Sequence, residues 1–159
     1  MAELKVWHLV SIEAVLVVLL VFFYLSSLSP GKSTLKDRVS PFDRIKEEQI
    51  HVLDDRVIVE LRNAERAKIA DTNSMDPVID KDSSVLQIVP KSPEDIHVGD
   101  IISYSPSYNK DLIIIHRVIE IGTDEKGYYY KAKGDNSPWA DPGKIRFEDI
   151  SRILVGVLY

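Results

Sequence analysis

Twelve apolar residues in a row, from Ala14 to Leu25, leave the amino-terminal end of this chain few folding options. A helix built from them is apolar on every face, whereas a helix docked on a soluble core needs only one apolar stripe. The apolar-dominated stretch runs from Val6 to Leu28, long enough to cross a bilayer at ~20 residues. Residues 1–29 therefore read as one transmembrane helix, a retained anchor. A cleaved signal peptide is the competing reading, with Ser26-Ser27-Leu28-Ser29 as its small-residue cleavage site. Glu13 is costly at depth, which sets it near the interface or against a partner. Only Lys5 and the amino terminus precede the span, while Lys32, Lys36 and Arg38 follow it. The positive-inside rule taken literally keeps the large domain in the cytoplasm, but long domains can cross regardless of flanking charge.

Residues 30–48 hold Pro30-Gly31, Pro41 and many charges, and read as a juxtamembrane linker. Beyond them, over 49–159, short β-branched runs alternate with Gly, Pro, Asp and Asn, the pattern of a mainly β domain. Gln49–Leu53 and Arg56–Leu61 flank Asp54-Asp55 and suggest a hairpin, with His51 on its first strand as a surface or packing residue. Further strands are expected over 84–89, 101–104, 112–121, 128–133 and 153–158. Tyr104 and Trp139, with apolar residues between the motifs, look exposed and able to touch lipid, with core packing the plainer role for most of them. The absence of cysteine excludes disulfides and thiolate chemistry. A net charge of -5 with no long basic block gives no footprint for nucleic acid.

Three elements of the β region carry chemistry. Ser74 lies between the apolar Ile69-Ala70 and the turn-forming Asp76-Pro77, where the proline biases Asp76 toward an extended backbone. That places Ser74 at a strand end or in a tight turn. A serine hydroxyl is a weak nucleophile until a base takes its proton, and histidine has the fitting pKa. His116 lies in the apolar run 112–121. An acid on the far imidazole nitrogen holds the correct tautomer, and both Asp135, in Gly134-Asp135-Asn136, and Asp141, before Pro142-Gly143, are available. Each element has a plainer reading: a turn serine, a packed core histidine, and two capped turns.

Together these elements resemble the signal peptidase I family, in the archaeal and endoplasmic-reticulum branch whose base is histidine. The matching residues are Ser74-Met75-Asp76-Pro77, Val98-Gly99-Asp100, Ile115-His116-Arg117-Val118, Gly134-Asp135-Asn136 and Asp141, in family order over about 70–159. The resemblance implies a signal peptidase/LexA-like β fold and a serine endopeptidase that removes signal peptides from secretory preproteins. It implies Ser74 as nucleophile, His116 as general base, Asp141 as its orienting acid and Asp135 as a supporting residue. Spacing leaves open which aspartate meets His116. The oxyanion hole would combine the Ser74 amide with the Thr72 hydroxyl, and Thr72 also reads simply as a turn residue. Asn73 stands where the family often has glycine, and Ser137 where a second asparagine is frequent.

The implied partners are signal-bearing preproteins and the lipid bilayer, with additional membrane subunits left open, no nucleic acid, and neither cofactor nor metal. The implied location is a single-pass membrane protein with its catalytic domain on the extracytoplasmic side. Two other readings compete. A self-cleaving regulator of similar fold would use lysine as base, which His116 and the apolar span argue against. A non-catalytic membrane-anchored assembly subunit would keep the fold without cutting.

Overall fold

The computed structural model describes residues 15–22, 24 and 39–159 and divides the chain into two units, 1–37 and 38–159. In the first unit residues 15–22 and 24 are helical. Among the described residues no helix is long and apolar enough to cross a membrane, and most of the span expected over 6–28 lies outside them. The second unit is mainly β, with two antiparallel sheets.

The smaller sheet is the expected hairpin. β1 (Ile50–Val52) pairs with β2 (Val57–Val59), and the Leu53 amide donates to the Arg56 carbonyl at 2.9 Å across Asp54-Asp55. His51 is exposed and lies 3.3 Å from Glu60, so it serves the surface.

The larger sheet holds β3 (Ala64–Lys68), β4 (Ser84–Ile88), β5 (Ile101–Tyr104), β6 (Ile114–Asp124), β7 (Gly127–Lys133) and β8 (Ile150–Leu158). Their spatial order is β3-β4-β8-β5-β6-β7, and every neighbouring pair is antiparallel. The last strand inserts between β4 and β5, which makes β5 central. All four residues of β5 are buried, because strands flank it on both sides and apolar clusters cover both its faces. One cluster contains Ile102, Tyr104, Val118, Tyr130 and Ile153; the other contains Ile101, Val85, Leu154, Met75 and Ile79. Tyr104 is thus 2% exposed, not the lipid-facing aromatic that its phenol suggests, because strand alternation turns it into the first cluster. Trp139 is 78% exposed, as expected.

Residues 39–46, which read as the end of a linker, form a strap held to the β unit. The Asp100 carboxylate, fully buried, accepts from both Arg44 Nη atoms at 2.8 Å, from the Phe42 amide at 2.9 Å and from the His97 amide at 2.7 Å. The Phe42 ring stacks on His97, centroids 4.2 Å apart. Gly99 has φ +101°, and a Cβ there would overlap the Ser40 carbonyl. The Val-Gly-Asp motif therefore serves as a socket for the strap. Removing one member of a buried ion pair leaves its partner uncompensated, which costs about 3–5 kcal/mol. Arg44→Ala should destabilise the β unit by that amount in a denaturant melt, and a loss under 1 kcal/mol would show that the strap contributes little.

Candidate active site

Ser74 follows β3, and His116 belongs to β6, four places away in the strand order. Apolar burial brings them together. The turn after β3 lays Met75 (3% exposed) and Ile79 (1%) onto the sheet face formed by Val85, Leu154 and Ile101. Burying each such side chain contributes roughly 1.5–3 kcal/mol, enough to pin a short turn across several strands.

Polar contacts then fix the turn against the end of β7. The Asn136 amide donates to the Ser74 carbonyl at 3.0 Å, and Asn136 Nδ2 donates to the Asn73 carbonyl at 2.9 Å. The Asp135 amide points at Met75 Sδ, 3.4 Å away. Asn73 itself has φ 53°, a left-handed conformation that asparagine tolerates well, so the missing glycine is accommodated. The Asp76-Pro77 bond is cis.

Gly134 is where these pieces touch. A Cβ at this position would sit 2.5 Å from the Ser74 carbonyl oxygen and 3.0 Å from His116 Nε2. Gly134→Ala should therefore displace the serine turn from the imidazole. A fall in kcat of at least tenfold with the thermal midpoint lowered by a few degrees is expected, and unchanged kcat would mean the turn can shift without consequence.

Geometry shows which aspartate meets His116. His116 Nδ1 lies 2.7 Å from Asp141 Oδ2, and the same oxygen accepts the Tyr104 hydroxyl at 2.8 Å. Asp141 reaches this point because its amide donates to the Ala132 carbonyl at 2.8 Å, folding the chain back along β7. Asp135 goes elsewhere: Arg117 Nε and Nη2 grip its carboxylate at 2.8 and 2.6 Å, while Arg117 Nη1 donates to the Gly99 carbonyl at 2.7 Å. Asp135 thus braces the turn that carries Gly134 and Asn136 and ties it to the strap's socket.

Thr72 and Ser74 hydroxyls lie 3.1 Å apart. Ser74 makes no hydrogen bond to His116 among the described residues, but both line one cleft of about 310 Å³. Its walls are Ile69, Met75 and Ile79 on the serine side and Leu112 to Ile115 on the other, so Ser74, Thr72 and His116 share an otherwise apolar trough. The hydroxyls of buried tyrosines are hard to ionise: burial, then the adjacent Asp141 charge, raises Tyr104 above the usual phenol range, keeping it a donor.

Sequence reasoning reached Ser74, His116, Asp141, Asp135 and Thr72, and did not single out Tyr104, Arg117 or Asn136 as parts of the site. The Arg117–Asp135 pair could have been suspected from two charges flanking apolar strands. Among the described residues, no group of His, Asp and Glu could hold a metal ion. Compared with protein-family models, curated proteins and solved structures, the chain matches none.

Proposed function

We propose that this chain is a membrane-anchored serine endopeptidase of the signal peptidase type, with a signal peptidase/LexA-like β domain and its site on the extracytoplasmic side. One observation carries the reading: Ser74 and His116, from separate stretches of chain, line one apolar cleft, and His116 Nδ1 reaches Asp141 at 2.7 Å.

In this reading His116 Nε2 takes the Ser74 hydroxyl proton as the oxygen attacks a peptide carbonyl. Asp141 holds the Nδ1 proton and stabilises the imidazolium that results. The Ser74 amide and the Thr72 hydroxyl receive the developing oxyanion. The imidazolium then protonates the leaving amine, and water, activated by His116, hydrolyses the acyl ester. The apolar trough suits an extended apolar segment, and the resemblance to signal peptidases implies small residues one and three before the cut. Anchoring both enzyme and substrate in a bilayer would confine their encounter to two dimensions.

A second reading is favoured by one contact. The Ser74 hydroxyl bonds Thr72, not His116, which fits a non-catalytic assembly subunit that keeps the fold. Catalytic hydrogen bonds are often loose without substrate, so the peptidase reading stands first. The test is incubation of the detergent-solubilised full chain with a preprotein carrying a small-x-small site, with products identified by mass spectrometry. One cut after the small residue supports the peptidase; intact substrate with folded protein moves the weight to the assembly subunit or to an enzyme lacking a required partner.

A further inference from the structure

We infer that Tyr104 is a positioning residue, whose hydroxyl fixes the Asp141 carboxylate so that the carboxylate can hold His116; the inference rests on the peptidase reading. The register supplies the geometry. Ile102 pairs with His116 and Tyr104 with Ile114, so Tyr104 and His116 project from the same sheet face on adjacent strands, two residues apart diagonally. Asp141 sits over that diagonal, and both groups meet its Oδ2, at 2.8 and 2.7 Å. Its other oxygen accepts no hydrogen bond among the described residues.

Asp141 is on a turn, not on a strand. Its main chain is held by the Ala132 carbonyl, and among the described residues the hydrogen bonds on its carboxylate are the two to Oδ2. His116 cannot supply that restraint alone, since it is the group being oriented and it gains and loses a proton during turnover. Tyr104 can. Its ring is locked among Ile102, Val118, Tyr130 and Ala132, and its hydroxyl stays protonated throughout the neutral range. A carboxylate is acceptor-only, so Oδ2 accepts from both neighbours, and the Tyr104 hydroxyl, kept protonated, donates into it and holds it in place. His116 Nδ1 must then carry its hydrogen, which leaves the Nε2 lone pair free on the side of Gly134 and Ser74. The tautomer needed for proton abstraction is fixed in advance.

The charged groups nearby do not offer a substitute. Arg117, next to His116 in β6, projects from the opposite face and is committed to Asp135 and the Gly99 carbonyl. Tyr108, on the loop after β5, is 65% exposed and makes no hydrogen bond to Asp141.

The experiment compares the full chain with its Tyr104→Phe variant by two readouts at one pH. Phe fills the same volume, so the packing is kept. The first readout is peptide cleavage: kcat should fall about ten- to a hundredfold with KM unchanged, the range expected for losing one hydrogen bond to a charged group. The second is the nitrogen-bound ring proton of His116 in ¹⁵N-labelled protein, assigned by its disappearance in His116→Gln. It should be sharp in the parent and broadened by water exchange in Tyr104→Phe. In an Asp141→Asn background, Tyr104→Phe should cost no further activity, whereas a packing role would cost the same in both backgrounds. An unchanged His116 signal in Tyr104→Phe overturns the inference whether or not the protein cuts. A signal that broadens as expected in a chain that cleaves nothing upholds Tyr104 as the residue that positions this pair and counts against the peptidase reading instead, moving the weight to the assembly subunit or to an enzyme lacking a required partner.

Discussion

Ser74→Ala is expected to leave a folded protein that no longer cuts a preprotein, with turnover reduced by about 10⁶-fold, the loss seen when a serine protease is stripped of its nucleophile. The fold should not notice. Among the described residues the hydroxyl's only side-chain partner is Thr72, 3.1 Å away, and the turn is pinned instead by Met75, Ile79 and the two bonds from Asn136. Stability should therefore stay within about 0.5 kcal/mol of the parent. A quenched time course followed by mass spectrometry measures the rate, and a thermal melt checks the fold. Turnover retained in a folded Ser74→Ala chain would end Ser74's role as nucleophile.

The two aspartates should separate cleanly. Asp141→Asn keeps the shape of the side chain but offers His116 Nδ1 an amide, which can hold the ring in the wrong tautomer; in serine protease triads the corresponding loss is about 10⁴ in kcat. KM should barely move, because Asp141 faces the imidazole and Tyr104, not the cleft walls. Asp135→Asn acts elsewhere. It weakens the paired contact with Arg117 and should cost about 1–3 kcal/mol of stability, as for a partly buried charge that loses its partner. Steady-state kinetics beside denaturant melts distinguish the two: the first variant slow and stable, the second active and less stable. The opposite pattern would exchange their roles.

Much of the sheet could be read in advance. β4, β5, β6, β7 and β8 are rich in Ile, Val, Leu and Tyr and are bounded by Gly, Pro or Asp, so propensity and punctuation agree. β3 escaped notice because Ala64–Lys68 reads Ala-Glu-Arg-Ala-Lys, a composition with little β preference. It is a strand because β4 offers it a ladder of partners, and its side chains can stay polar because it lies at an edge. The motifs were legible for a related reason: serine, histidine and aspartate beside turn signals are chemically distinctive residue types. Which acid meets the base was not, since that depends on the path of the turn after β7, and above all on the bond from Asp141 to the Ala132 carbonyl. Tyr104 was misjudged at first sight because its burial follows from β8 inserting beside β5, a pairing that joins distant stretches such as Tyr104 and Ile150.

The strap has a practical consequence for anyone preparing the β unit without its apolar segment. The first regular element of the second unit begins at Glu47, and a truncation there would look natural. It would discard Phe42 and Arg44 and leave the Asp100 carboxylate sealed in the interior with neither of them. A soluble form starting at Val39 keeps the clamp whole. Poor expression or aggregation of the shorter form would then reflect an unneutralised interior charge and not a need for lipid.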